Sequence, residues 1–133
     1  MTVTAPTLTG THVQLEQLRV EFAEELTAAG NLDRSTYDWT AVPPTVDGMK
    51  RYIAGLLNDQ LARTAVPFVQ RRISDGALVG CTRYLRLEWW GANDLPDEVE
   101  IGGTWLATSA QRTPINTEAK YLLLSNAFGA WKV

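Results

Sequence analysis

The sequence predicts one α/β (α+β) domain, a mixed, mainly antiparallel sheet flanked by helices. Three observations carry this expectation. Stretches of period-2 apolar alternation and stretches of helical spacing succeed one another along the chain. Ser74-Asp75-Gly76-Ala77 is a tight-turn signal between two strand-like runs, too short for a crossover, so those strands run antiparallel. The 133 residues, 45% hydrophobic and 20% charged, suffice for a single core and for one domain, residues 1–133.

Each element follows from its residues. Val13, Leu15 and Leu18 mark a strand over 8–18, bent at its start by Gly10-Thr11. Val20, Phe22, Ala23, Leu26 and Ala29 are spaced as one helical face, and Gly30 is expected to end that helix at C′. Residues 31–45 read as loop. Thr45 is an N-cap, with Asp47 in the first turn of a helix that carries Met49, Ile53, Leu56, Leu57 and Leu61 on one side and ends near Arg63. Val66 to Ile73 is a strand. Leu78 to Trp90 is its partner, with Val79, Cys81, Leu85, Leu87 and Trp89 expected on one face. After a turn-rich loop, Val99, Ile101, Gly103 and Trp105 are expected on one face of a strand over 98–107. A last helix starts at 114 or 117 and runs to about 130.

Composition excludes several classes. A single cysteine, Cys81, cannot build a disulfide scaffold or a cysteine-based zinc site, and a single histidine, His12, cannot build a multi-histidine metal site. No metal is expected. No apolar run reaches the ~18 residues that cross a bilayer, and Met1 to Gly10 shows no leader pattern, so no membrane partner is expected and the cytoplasm is the expected location. The net charge of −3 argues against general nucleic-acid binding.

The residues most suggestive of chemistry lie between 98 and 124. A strand ends at Ala107, a polar loop follows, and Gln111, Arg112, Thr113 and Thr117 gather where a helix begins. Unpaired N–H groups and a partial positive charge make such a terminus able to hold a phosphate, and Arg112 adds a charge-assisted contact. Thr113 followed by Pro114 is equally an ordinary N-cap with proline at N1.

Two runs, Val99-Glu100-Ile101-Gly102-Gly103-Thr104-Trp105-Leu106 and Gln111-Arg112-Thr113-Pro114-Ile115-Asn116-Thr117-Glu118-Ala119-Lys120, resemble the GNAT superfamily of acyl-CoA-dependent N-acetyltransferases, in particular its Rim-type branch of ribosomal-protein N-acetyltransferases. Leu8 to Glu16 and Leu78 to Tyr84 resemble the same branch, so the likeness covers essentially the whole chain in order. It implies a GNAT-like fold that lacks its C-terminal part, because the family continues with a fifth strand, a further helix that carries a general-acid tyrosine, and closing strands. It also implies acetyl-CoA as co-substrate, with the backbone of Trp105, Leu106 and Ala107 pairing with the pantetheine arm. The family loop, Gln/Arg-x-x-Gly-x-Gly/Ala, binds the pyrophosphate through N–H groups. Gln111 matches its first position, whereas Pro114 and Asn116 replace the two small residues, leaving the N–H groups of Ile115, Asn116 and Thr117. Glu100 becomes the expected general base, with Glu98 as its same-parity alternative, since an apolar setting beside Trp105 suits a carboxylate to base chemistry near neutrality.

The activity so implied is acetyl transfer to a primary amine, either a protein N-terminus or a small amine. The alternative is a non-catalytic, truncated fragment that dimerises or binds acyl-CoA. Either way, the unpaired edge of strand 98–107 is expected to be covered by a second copy or by a complementing C-terminal fragment.

Other residues have plainer expectations. Cys81 is a small core residue and His12 is solvated. Arg71, Arg72, Arg83 and Arg86 form a basic face or pair with surface acids. Trp39, Trp89 and Trp90 line an acceptor pocket or pack, and Glu16 to Glu25 is a solvated acidic face.

Overall fold

The computed structural model describes residues 3–35, 42–91 and 94–133. The expectation for Trp39 therefore lies outside the described residues. Five strands form one antiparallel sheet in the order β1-β2-β3-β4-β5: β1 (Leu8–Thr9), β2 (Val13–Gln17), β3 (Ala65–Arg72), β4 (Leu78–Glu88) and β5 (Glu98–Leu106). Helices α1 (Ala23–Asn31) and α2 (Val46–Leu61) cover one face, and α3 (Pro114–Gly129) covers the other. No helix among the described residues is long and apolar enough to cross a membrane.

The sheet separates two apolar clusters. On the α1/α2 side, Leu26, Met49 and Ile53 meet Val69, Cys81 and Trp105. On the α3 side, Ile115, Ala119 and Leu123 meet Leu15, Phe68, Tyr84 and Leu106. Tyr84 anchors α3. Its hydroxyl donates to the Leu123 carbonyl and accepts from Asn126 Nδ2 at 3.2 Å, and its ring packs 4.6 Å from that of Trp131.

Local chemistry sets the helix starts as read from the sequence. Thr45 Oγ1 accepts from the Gly48 N–H at 3.0 Å, and Thr113 Oγ1 accepts from the Ile115 N–H at 3.4 Å with Pro114 opening α3. The Asp75-Gly76 turn closes the β3–β4 hairpin, with Gly76 at φ 73°.

Four expectations are corrected. The strand over 8–18 is a hairpin, not a bent strand: Leu8 lies opposite Leu15, and the Gly10 N–H donates to the Val13 carbonyl across the turn. Gly30 does not end α1. It lies inside the helix, buried where a Cβ would come within 3.0 Å of Val42 Cγ1, so close packing rather than capping selects glycine there.

Both long strands change face partway, which breaks the alternation expected of them. In β5, Val99 and Ile101 pack against the α3 side whereas Trp105 lies in the α1/α2 cluster. Gly103, at φ 60°, is an extra residue between the Arg83–Gly102 and Cys81–Trp105 pairs, and one inserted residue exchanges the faces of every later position in the strand. In β4, Val79 is the extra residue between pairs Gly80–Gln70 and Leu78–Arg71, so Val79 and Cys81 enter different clusters. A further shift near Arg86, at φ 52°, lies between the Leu85–Glu100 and Glu88–Glu98 pairs.

Candidate functional site

The region singled out by the sequence is one continuous unit: β5, a single 3₁₀ turn (Thr108–Ala110), a short loop, and the start of α3. β5 is the last strand of the sheet, with β4 as its one neighbour among the described residues. At its end the Ala107 N–H donates to the Val79 carbonyl of β4 at 2.7 Å. Because a trans peptide points its C=O opposite its N–H, the Leu106 carbonyl faces the outer edge. There it accepts a hydrogen bond from Gln111 Nε2 at 3.0 Å.

The loop then turns through Arg112, which is exposed and holds φ 59°, a left-handed conformation unusual for a side-chain-bearing residue. Thr113 donates to the Ala110 carbonyl at 2.6 Å and caps α3. Pro114 has no N–H, and that of Ile115 turns to the cap. The remaining first-turn donors of α3 belong to Asn116 and Thr117, both exposed. Ile115, by contrast, buries its side chain in the α3-side cluster. Trp105 and Ala107 are buried as well.

Two shallow clefts flank this unit. One, of about 230 Å³, lies between the β1–β2 turn, the β3–β4 turn and the start of α3, lined by His12, Arg72, Thr113 and Pro114 among others. The other, of about 220 Å³, lies between α1 and the end of β5, with Glu25, Ala29, Leu78 and Ala107 in its wall. Arg72 borders both. It donates to Ser109 Oγ at 3.1 Å and pairs with Asp75 at 2.8 Å, and that contact holds the Asp75 carboxyl down at about 2.

Glu100 stands opposite Leu85 on β4, its side chain 52% exposed, with Oε2 3.3 Å from Arg86 Nε. The apolar enclosure expected for it is not there, because the strand shift at Arg86 brings a guanidinium beside the carboxylate. Glu98, opposite Glu88, is exposed too. The four arginines form no common basic face. Arg71 pairs with Glu16 at 2.6 Å, Arg72 with Asp75, Arg86 with Glu100, and Arg83 lies over Gly103, where a Cβ would meet it within 2.4 Å. Glu16 thus leaves the acidic face expected of residues 16–25. The Arg71 hydrogen bond, against a smaller desolvation effect, lowers its pKa. Trp89 donates from Nε1 to the Arg63 carbonyl at 2.8 Å under that residue's guanidinium, while Trp90 is exposed. Cys81 is buried, and burial pushes its thiol up to about 12.

Two residues of this unit carry contacts that local reading misses. Glu118 Oε1 accepts the N–H groups of His12 at 2.6 Å and Val13 at 2.9 Å, tying α3 to the first hairpin. Desolvation opposes its ionisation, but those backbone bonds prevail and its pKa is lowered. Gly10 makes room for it, since a Cβ there would lie 2.2 Å from Glu118 Oε1. Lys120 Nζ donates to Thr104 Oγ1 at 2.6 Å. Glycine before a turn and Glu-x-Lys on a helix were visible signals, but neither names a partner across the fold.

No family model matches the chain, and no curated protein matches it. Solved structures do. The chain superposes on a GCN5-related N-acetyltransferase from Brucella melitensis with a TM-score of 0.78 at 21% identity, covering 95% of this chain and 56% of that one. On RimJ of Mycobacterium smegmatis, in complex with CoA-disulfide, the values are 0.74 and 22%, covering 96% and 64%. On the ribosomal-protein-S5-alanine acetyltransferase of Vibrio fischeri they are 0.74 and 15%, covering 95% and 69%. The fold is therefore that of the GNAT acetyltransferases, Rim-type structures among them. The chain spans a little over half the length of the Brucella protein.

Proposed function

We propose that this chain provides the acyl-donor half of an acyl-CoA-dependent N-acetyltransferase, which moves an acetyl group from acetyl-CoA to a primary amine, either a protein N-terminus or a small amine, by direct attack. One observation carries the reading. In a GNAT fold, β5 ends beside a capped helix N-terminus, with Arg112 exposed in the adjoining loop and Asn116 and Thr117 exposed in the first turn.

The bound donor would supply an activated thioester. Arg112 and the N–H groups of Asn116 and Thr117 fit its pyrophosphate, a positive guanidinium and a helix terminus meeting a dianion. Thr113 and Ile115 shape that turn. The backbone of Trp105, Leu106 and Ala107 fits the pantetheine arm, provided the Gln111 amide leaves the Leu106 carbonyl. Glu100 is the proposed base: exposed at the sheet surface, with Arg86 Nε 3.3 Å from its carboxylate, it can accept the amine proton. The outer edge of β5 is the proposed contact for a second copy of the chain or a complementing C-terminal fragment, and the buried, reduced Cys81 accords with a cytoplasmic setting.

A second reading, a non-catalytic module that binds acyl-CoA or dimerises, is favoured by two observations. Pro114 removes one phosphate donor, and Gln111 already occupies the outward carbonyl. Titration calorimetry with CoA decides whether the donor binds. Thiol release from acetyl-CoA in the presence of peptide and small amines then separates the two readings. Turnover that is abolished in Glu100→Gln, with CoA affinity unchanged, supports Glu100 as base. Unchanged turnover removes that role.

A further inference from the structure

Lys120 is half-buried between α3 and β5, and its acceptor among the described residues is the Thr104 hydroxyl, 2.6 Å away. Thr104 is in turn paired across the sheet with Thr82 at 2.9 Å between hydroxyl oxygens. No carboxylate among the described residues forms an ion pair with this lysine. An ammonium carries three N–H donors and is expensive to withdraw from water unless it is paired. Burial accordingly lowers the Lys120 pKa. A residue needed there only to pack would be Met or Leu. A cation held by one neutral hydroxyl retains donors for something else.

Its placement narrows what that is. Thr104 precedes Leu106 by two residues, so their side chains share a face of β5, the strand with one neighbour among the described residues, while the Leu106 carbonyl points to its outer edge. The Lys120 ammonium at the Thr104 hydroxyl and the Gln111 amide at the Leu106 carbonyl are polar donors held at residues about 7 Å apart along the strand, one at its α3 face and one at its outer edge. Before Thr104 the α3 side of the strand is apolar, with Ile101 and Val99 packed against the cluster. Two donors spaced along one side of an edge strand suit an extended chain that carries carbonyl acceptors at intervals.

We infer that Lys120 is a donor-binding residue whose ammonium, held by Thr104 with Thr82 behind it, gives a hydrogen bond to an amide carbonyl of the pantetheine arm of an acyl-CoA lying along β5. This rests on the acyl-donor reading above, and the test separates the two. Calorimetry is run with CoA and with adenosine 3′,5′-bisphosphate, which keeps the phosphates and lacks the arm, on the wild-type chain, Lys120→Met and Lys120→Arg. Lys120→Met weakens CoA by about tenfold, the worth of one charge-assisted hydrogen bond. It leaves adenosine 3′,5′-bisphosphate within about twofold and does not lower the melting temperature of the free protein. Lys120→Arg recovers part of the CoA affinity. Equal CoA affinity in wild type and Lys120→Met overturns the inference. So does parallel weakening of both ligands with a fall in melting temperature, because that pattern marks a purely structural lysine. Failure of the wild-type chain to bind either compound overturns the acyl-donor reading itself, and the inference with it.

Discussion

Glu118 and Lys120 stand two residues apart on one helix, and both have lowered pKa values, yet the shifts mean opposite things. The Glu118 carboxylate is met by two backbone N–H groups of the first hairpin, so folding favours its charge. The Lys120 ammonium is met by one hydroxyl, so folding disfavours its charge. The first is a completed joint between α3 and the β1–β2 end of the sheet. The second is an incomplete one between α3 and the β5 end. A charge that is fully matched inside a protein reports on architecture, whereas one left short of partners points to what the protein meets.

The largest effect is expected from breaking the completed joint. Glu118→Ala should cost about 2 kcal/mol in urea unfolding, since it strands two backbone donors, with solvent access at the hairpin keeping the loss from being greater. Gly10→Ala should lose about 1 kcal/mol by displacing the same carboxylate. The double variant should be little worse than Glu118→Ala alone. Additive losses would mean that the carboxylate and the glycine act independently.

Acid sharpens the comparison further. The folded pKa of Glu118 lies below its ordinary 4.5, so its contribution is complete above that value and is lost as pH falls through the folded pKa. Glu118→Gln should flatten that part of the stability curve. Lys120 acts at the other end of the scale. Its folded pKa lies below the ordinary 10.5, so between the two values the unfolded chain binds the extra proton and stability rises with pH. Lys120→Met should remove this alkaline gain, the smallest of these effects. A gain that survives the substitution would assign it to another group.

The range of each interaction decided whether it was legible in the sequence. The caps at Thr45 and Thr113 and the Asp75-Gly76 turn could be read because each is settled within four residues. The GNAT-like order of elements was legible too, and the fold agrees with it. The strand faces were not, because an alternation count cannot see where a partner strand lacks a matching residue, and Gly103 and Val79 each reverse the alternation at their positions. In the candidate site, the strand-loop-helix unit was readable. The Gln111 bond to Leu106, the Arg86 pairing of Glu100 and the Lys120–Thr104 contact depend on tertiary placement. Glu118 meets a residue 106 positions away, a distance at which no local pattern speaks.

The shift at Gly103 reaches beyond the placement of side chains. It carries Trp105 into the α1/α2 cluster while Val99 and Ile101, at the same parity in the same strand, stay with the α3 side. Neither cluster can loosen without pulling on the backbone that serves the other. The two sides of the sheet should therefore melt as a single cooperative unit, and amides beneath both should exchange with solvent at the same free energy, that of global opening. A helix pair and a lone helix on opposite faces would otherwise be natural places for a domain to come apart in stages.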